Sequence, residues 1–596
     1  MVEVLSNPAP NERLQIVPSV TSNLGNVYYL LLNFAEYFIY QVQASQFRSL
    51  RNNNNEPGTP TQASLGFSNF KQQQKKNIIS AISCLEFLTS TQCPVSLHLQ
   101  ARALLSLVYK NWVPDFSSQE QNLQKMTLLV PASRENTITR LMINLKLIDL
   151  YMESRKQEFG YSILSTLISE SSGLIKTSRD KGSVDMTAYY NLELLQVYLY
   201  QGNYEAALKI NEFLERVFSS KSNIFAISRE NQCIFKYNIL LTILFLYQGN
   251  SGSALKHAQA AKSVASVMVR KHRKVHSKVS AHVHESLNCK YCTEFSLSFN
   301  LDDSLSTPEN KDNNTRNINL VGLPSLYMDI LSSMLVATCM KNGSKFRVAR
   351  SIIKQCKDKI SNHSQKRLDM KYNILEVQLY ILDFYACLHS EDLSVSQETL
   401  ETMTNLASKG GLWGIFCDEI MLCHGMYLVK YSNSLKAIET LNAVFMRSLN
   451  NKKFEIWAIS GLQMALLFLG DQNRNYELAS DIIKSIFKKF STQLSAKPSP
   501  TTISFLQLIK CINTREVVKA KALVLECLRF FVDSSNVPLQ VISLSYAGGL
   551  FANTNVKESE KMSFTAVSLS DFTDDPLYKS VSTSSQLISQ RILGET

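Results

Sequence analysis

Tyr200-Gln201-Gly202-Asn203-Tyr204-Glu205-Ala206-Ala207-Leu208-Lys209 returns 47 residues later as Tyr247-Gln248-Gly249-Asn250-Ser251-Gly252-Ser253-Ala254-Leu255-Lys256, with seven of ten positions identical. An apolar stretch precedes each copy, at 191–200 and 238–247, and a stretch with small residues at its packing positions follows. A glycine just past an apolar helix closes it in the left-handed conformation that other residues resist, and a small residue shortly afterwards lets a second helix approach. Gly202 with Ala207, and Gly249 with Ala254, meet these needs, so the repeated unit is predicted to be helix, turn, helix. Tyr198 and Phe245 stand four residues before each glycine, where a ring fills the space between the paired helices. A looser third copy puts Gly425 at the close-contact position of a first helix and Ala437 in the second.

This looks like the tetratricopeptide pattern, although the 47-residue spacing exceeds the usual period of about 34 and implies longer helices or loops. Such units cannot bury their apolar faces alone, so they stack into a solenoid. Composition agrees. With 20 Gly and 14 Pro in 596 residues, against averages of about 7% and 5% in proteins generally, turn formers are too scarce for a sheet-rich fold. Apolar residues at 45% build a long core, while charged residues at 19% suit helices buried on two sides. The expectation is an all-α, tetratricopeptide-like superhelix.

Helical periodicity begins with Leu30, Leu31, Phe34, Tyr37 and Phe38, after a leader at 1–22 that contains Pro8, Pro10 and Pro18. Residues 52–62, NNNNEPGTPTQ, read as a loop or disordered insert, with helices resuming near Lys75. Helix then follows helix to about 299. Residues 300–319, NLDDSLSTPENKDNNTRNIN, read as a second disordered insert, and a further helical series fills 320–596. The array is thus expected as N-terminal repeats at 23–299 and C-terminal repeats at 320–596.

The twelve cysteines are scattered singly, without a secretory leader, which fits reduced thiols in the cytosol or nucleus. The most apolar run, 239–247, is about half a membrane span. Net charge is +12, and its distribution is uneven. Lys256, Lys262, Arg270, Lys271, Arg273, Lys274, Lys278 and Lys290 face only Glu285, so this segment carries +7 and the remainder about +5. That is a local basic patch rather than a chain-wide nucleic-acid surface.

No phosphate-binding glycine loop, nucleophile elbow or paired metal-ligand motif appears, so no catalytic residue, cofactor or metal is assigned. His284-Glu285 lacks the second His at 288, which is Asn. His272, His276, His282, His284, Cys289 and Cys292 crowd 21 residues, but a single CxxC with its histidines on the N-terminal side reads as an exposed basic loop rather than a zinc site.

Both ends of the chain resemble one family. Ile78-Ile79-Ser80-Ala81-Ile82-Ser83-Cys84-Leu85-Glu86, followed by Leu99-Gln100-Ala101-Arg102-Ala103-Leu104-Leu105-Ser106-Leu107-Val108-Tyr109, resembles the opening repeats of the tetratricopeptide subunit of the cohesin loader. Near the other end, Tyr546-Ala547-Gly548-Gly549, Glu558-Ser559-Glu560-Lys561-Met562, Ala566-Val567-Ser568-Leu569-Ser570 and Asp574-Asp575-Pro576-Leu577 resemble its closing repeats in order and spacing. Gln100, Ser106 and Ser570 depart from the family's pattern. The resemblance implies a nuclear, chromatin-associated protein, with some in the cytoplasm. It also implies pairing with the large HEAT-repeat loader subunit, adherin, whose extended N-terminal segment the superhelix sheathes while cohesin is loaded on chromosomes for sister-chromatid cohesion. The alternatives are a scaffold subunit of another complex, or a helical repeat protein that binds nucleic acid through the basic patch.

In tetratricopeptide units the first helix of each pair lines the groove. By register, Tyr189, Gln196 and Tyr200 of one repeat, and Lys236, Ile243 and Tyr247 of the next, are the candidate partner-facing residues.

Overall fold

The structure, a computed structural model, describes residues 27–42 and 60–595. It leaves out 131–135, 178–182, 220–226, 279–292, 301–314, 322–324, 362–369, 390–392, 493–498 and some gaps of one or two residues. The leader at 1–22 and the His/Cys loop from His282 to Cys292 lie outside the described residues. The chain divides into two compact units, one of 1–178 with 282–289 and 293–321, the other of 179–281 with 290–292 and 322–596.

The first unit contains helices α1 (27–39), α2 (Pro60–Ser90), α3 (Val95–Asn111), α4 (Phe116–Leu129), α5 (Thr137–Ser154) and α6 (Gln157–Thr177). Leu32, Ala35 and Ile39 of α1 pack with Ala81, Leu85 and Leu88 of α2 and with Ala101, Leu105 and Val108 of α3. The buried stripe of α1 is therefore rotated from the expected one, and Leu30 and Tyr37 face solvent. Helix α2 starts at Pro60, fifteen residues before the expected Lys75, so 60–62 belong to a helix rather than to an insert. Proline suits this first position because its missing N–H would have no partner there.

This unit also holds the one departure from helix among the described residues. Strand β1 (Thr293–Asn300) pairs antiparallel with β2 (Thr315–Val321), Leu297 opposite Ile318 and Phe295 opposite Leu320, and β2 lies against α3. The expected disordered insert at 300–319 thus ends in a strand. Phe295, Leu297 and Phe299 alternate with polar residues, the period of two that lets one sheet face turn apolar.

The second unit is a run of helix pairs, with first helices α7 (Ser183–Tyr200), α9 (Ile227–Tyr247), α11 (Ser325–Asn342), α13 (Met370–His389), α15 (Trp413–Lys430), α17 (Phe454–Leu469), α19 (Pro500–Ile512) and α21 (Val537–Phe551). Their partners are α8 (Tyr204–Ser219), α10 (Ser251–Lys278), α12 (Phe346–Ser361), α14 (Leu393–Lys409), α16 (Ser434–Asn450), α18 (Tyr476–Thr492), α20 (Val517–Asp533) and α22 (Val556–Ser570). A final helix, α23 (Pro576–Glu595), follows. The expected all-α helical-pair solenoid is observed. Helices α10 and α11, on either side of the insert, pack extensively on each other.

The two sets of helices differ in the way a curved array requires. Phe346, Ala349, Ile353, Cys356 and Ile360 of α12 recur at three and four residues, so the second helix buries one stripe and exposes the rest. In α11, by contrast, no described residue is fully exposed. Successive first helices also touch one another, α7 with α9, α11 with α13, α13 with α15 and α15 with α17, whereas the second helices do not meet to this extent. Helices converge on the inside of a curve, so the first helices form the concave layer.

The turns are built as the repeat implies. Gly202 and Gly249 have φ of 66° and 77°. The N–H of Asn203 reaches Tyr198 O at 2.9 Å and that of Asn250 reaches Phe245 O at 2.8 Å, while the two glycine N–H groups bond Leu199 O and Leu246 O. This is the Schellman closure of a helix end. Asn203 and Asn250 then cap the next helix through Oδ1, accepting from the N–H of Ala206 and Ser253. Phe245 stacks on His257 between the pair, 5.4 Å between ring centres. In the third copy a Cβ at Gly425 would stand 2.7 Å from Leu441 Cδ2, and Ala437 is fully buried.

Turns distant in sequence also meet. Thr501 Oγ1 donates to Tyr247 O at 3.3 Å. The N–H of Asp574 donates to Ser344 O at 2.9 Å, that of Arg347 to Asp574 Oδ2, and His389 Nδ1 lies 2.8 Å from Asp575 Oδ2. The second unit therefore winds far enough for its later repeats to latch onto its earlier ones.

Candidate partner-binding face

The six residues named by register fall into three equivalent pairs, offset by the repeat: Tyr189 with Lys236, Gln196 with Ile243, and Tyr200 with Tyr247. The structure separates them. Tyr189 is only 2% exposed and packs in the core, its ring 5.5 Å from Lys236 Nζ. Lys236 bonds the buried Glu193 at 2.5 Å. That first pair ties α7 to α9: Tyr189 is corrected from groove surface to packing, while Lys236 is half-buried, as Gln196 and Ile243 are. An unpaired carboxylate at Glu193 would be costly, and Lys236 is the cation that answers it.

Gln196, Tyr200 and Ile243 are half-buried, and Tyr247 keeps 37% of its surface. Each of the two remaining pairs sits four residues from the next along its helix, one turn apart on one face. Tyr247 also touches Tyr204 of α8, with ring centres 5.8 Å apart. Surrounding protein raises the Tyr247 phenol above its ordinary value, and the charge of Glu455 adds to this. Tyr247 is thus reachable by solvent yet walled by protein, as expected of a residue on a concave surface.

Further along the inner layer the carboxylates are taken. Asp329 of α11 bonds Lys359 at 2.7 Å. Asp383 of α13 bonds Lys357 at 2.5 Å and lies 3.6 Å from Arg350, and Lys357 sits 3.7 Å over the Tyr380 ring. Asp418 of α15 takes Arg447 at 2.9 Å and Lys453 at 3.1 Å, and Lys453 also reaches Glu419. Glu455 of α17 accepts from Ser499 N and Thr502 Oγ1 at the start of α19. These polar rungs join neighbouring helices and fix their register. Sequence reading missed them because each joins residues of different helices, with no local spacing to mark the pair.

The basic patch continues along α10. Lys256 and Arg270 are exposed and Lys262 is half-buried. The helix runs on through Lys271, Arg273, Lys274 and Lys278, whose side chains lie outside the described residues, as do those of His272 and His276. Among the described residues no group of three His, Cys, Asp or Glu is arranged to hold a metal ion. Nor is any helix among them long and apolar enough to cross a membrane.

No protein-family model matches the sequence, and no curated protein matches it. Solved structures do. Aspartyl phosphate phosphatase F from Bacillus subtilis is 11% identical over 82% of this chain and 98% of its own, with a TM-score of 0.38. A signal-transduction ATPase with a tetratricopeptide repeat sensor from Pyrococcus horikoshii is 12% identical over 87% of this chain and 69% of its own, with a TM-score of 0.31. The Cut9–Hcn1 hetero-tetramer of APC/C is 10% identical over 86% and 94%, with a TM-score of 0.28. At these scores the likeness adds no argument of its own, and the fold rests on the helix pairing described above.

Proposed function

We propose that the chain is a scaffold without catalytic function that holds an extended segment of a partner protein along its inner helices. The observation that carries this reading is the state of the concave layer. Its carboxylates are engaged in rungs between helices, while Gln196, Tyr200, Ile243 and Tyr247 keep accessible surface on one side of two successive first helices. Aromatic and amide groups on a rigid concave support suit a partner with little structure of its own, which offsets its ordering cost by burying area over several repeats.

The partner we propose is the N-terminal segment of the large HEAT-repeat cohesin-loader subunit, with cohesin engaged indirectly and chromatin through the complex, in the nucleus. The resemblance of both ends of the sequence to the loader's tetratricopeptide subunit supports this. So does the work that the resembling residues do here. A Cβ at Gly548 would lie 2.6 Å from Ser563 Oγ, so the helices there need glycine, and Asp574-Asp575 forms a latch.

The test is affinity purification of the tagged protein from its own cells, with and without nuclease, followed by mass spectrometry. Recovery of a very large HEAT-repeat protein in near-equal amount despite nuclease is expected. Its absence would overturn the cohesin-loader reading, and a yield that vanishes with nuclease would favour nucleic-acid binding through the α10 patch.

A further inference from the structure

Among the described residues, one desolvated cation on the inner layer has no rung. Lys341, in the last turn of α11, places Nζ 5.4 Å from the centre of the Tyr385 ring on α13. Cys423 of α15 borders the same spot, close enough to bear on the ionisation of both Tyr385 and Lys341. Three successive first helices thus build this one spot. Among the described residues no carboxylate lies within ion-pair distance of the Lys341 ammonium. The neighbouring acids are engaged elsewhere, Asp383 with Lys357 and Arg350, and Asp418 and Glu419 with Lys453.

Such an ammonium is costly. The protein around it desolvates the charge and lowers its pKa below the usual lysine value. The ring face of Tyr385 returns part of this as a cation–π contact, worth about 0.5–2 kcal/mol in general. Lys341 nonetheless keeps part of its surface, so the residue is not sealed in the core. A desolvated cation on a first helix, with no counter-ion among the described residues, is complementary to an anion brought by whatever occupies the inner side.

We propose that Lys341 anchors the partner segment by pairing with one of its Asp or Glu carboxylates, over the ring of Tyr385. The inference rests on the scaffold reading and names the chemistry of its partner. A phosphate needs more than a single point charge and is ordinarily gripped by several donors, commonly from Arg. Nucleic acid needs cations repeated along the groove. One ammonium on an aromatic face fits one carboxylate.

The test uses the full-length protein purified from its own cells with whatever it holds, treated with a carbodiimide, which joins an amine to a carboxylate only when the two touch. Mass spectrometry of the digest is expected to find Lys341 joined to an Asp or Glu of the partner. In parallel, Lys341→Met is expected to weaken partner retention about tenfold while leaving the melting temperature of the free protein unchanged or raised, because an apolar chain of similar length replaces an unpaired charge. A lowered melting temperature with retention unchanged would make Lys341 a structural residue and overturn the proposal. A partner held equally well by the Met variant, with no link at Lys341, would overturn the anchor and leave the scaffold standing. No polypeptide captured at all would overturn the scaffold reading and the anchor with it.

Discussion

Gly202 and Gly249 occupy equivalent turns and share a positive φ. A side chain at either position is strained, by about 1 kcal/mol or somewhat more. At Gly249 a Cβ would also lie 2.8 Å from Thr501 Oγ1 and 3.3 Å from Ser534 Cβ, which come from later repeats. Gly249→Ala is therefore expected to cost ~1 kcal/mol beyond that strain, as an overpacked contact gives way. Urea unfolding checks this, and a loss no greater than the backbone strain alone would mean that the distant contact carries no weight. The Gly202 and Gly249 turns could be read in the sequence because the Schellman closure is local. Tyr189 could not be told apart from Gln196, since both share one helical register and only the packing of α7 on α9 decides that Tyr189 is covered.

At the scale of the element, the sequence marks the second helices plainly and the first helices poorly. One-sided stripes such as that of α12 declare which face is buried, whereas α17, with Glu455 as its single charged residue, is apolar all round and declares none. Hairpin β1–β2 shows the reverse failure. Its Asn-rich loop hid the short alternation on either side, and seven or eight residues per strand are too few to outweigh that composition. Close approach between paired helices yields a test of the third repeat. Gly425→Ala must displace the Leu441 side chain, 2.7 Å from the new Cβ, and is expected to cost about 1–3 kcal/mol. Hydrogen exchange should then quicken along α15 and α16 first. Exchange raised uniformly over the second unit instead would mean that these helices have no independent pairing to lose.

At the scale of the whole molecule, the latch between the Asp574-Asp575 turn and the ends of α11 and α13 has no sequence signal, because it joins residues 186 to 230 positions apart. It carries a pH dependence. Burial pushes the Asp575 carboxyl up, but the bond to His389, the N–H of Leu577 and the charges of His389 and Lys430 outweigh it, so its pKa lies below the ordinary value. A carboxyl whose folded pKa is depressed contributes stability in full above its unfolded value of about 3.9 and loses it as pH falls through the lower folded value. Asp575→Asn is thus expected to lower the melting temperature near neutral pH and to narrow its gap to wild type as the solution is acidified. A gap that stays constant down to about pH 3 would remove Asp575 from the account.

What the sequence by itself determined was the local part: helices from apolar periodicity, turns from Gly202 and Gly249, and the pairing of helices from small residues such as Ala207, Ala254 and Gly425. These depend on a few neighbouring residues, so a linear reading reaches them. Only the tertiary structure decided that α10 packs on α11 across the insert, that the acids of the inner helices are neutralised by rungs, and that Lys341 stands desolvated over Tyr385 with no counter-charge among the described residues. Burial and charge pairing depend on which helix comes to lie beside which, and the curvature of the array sets that.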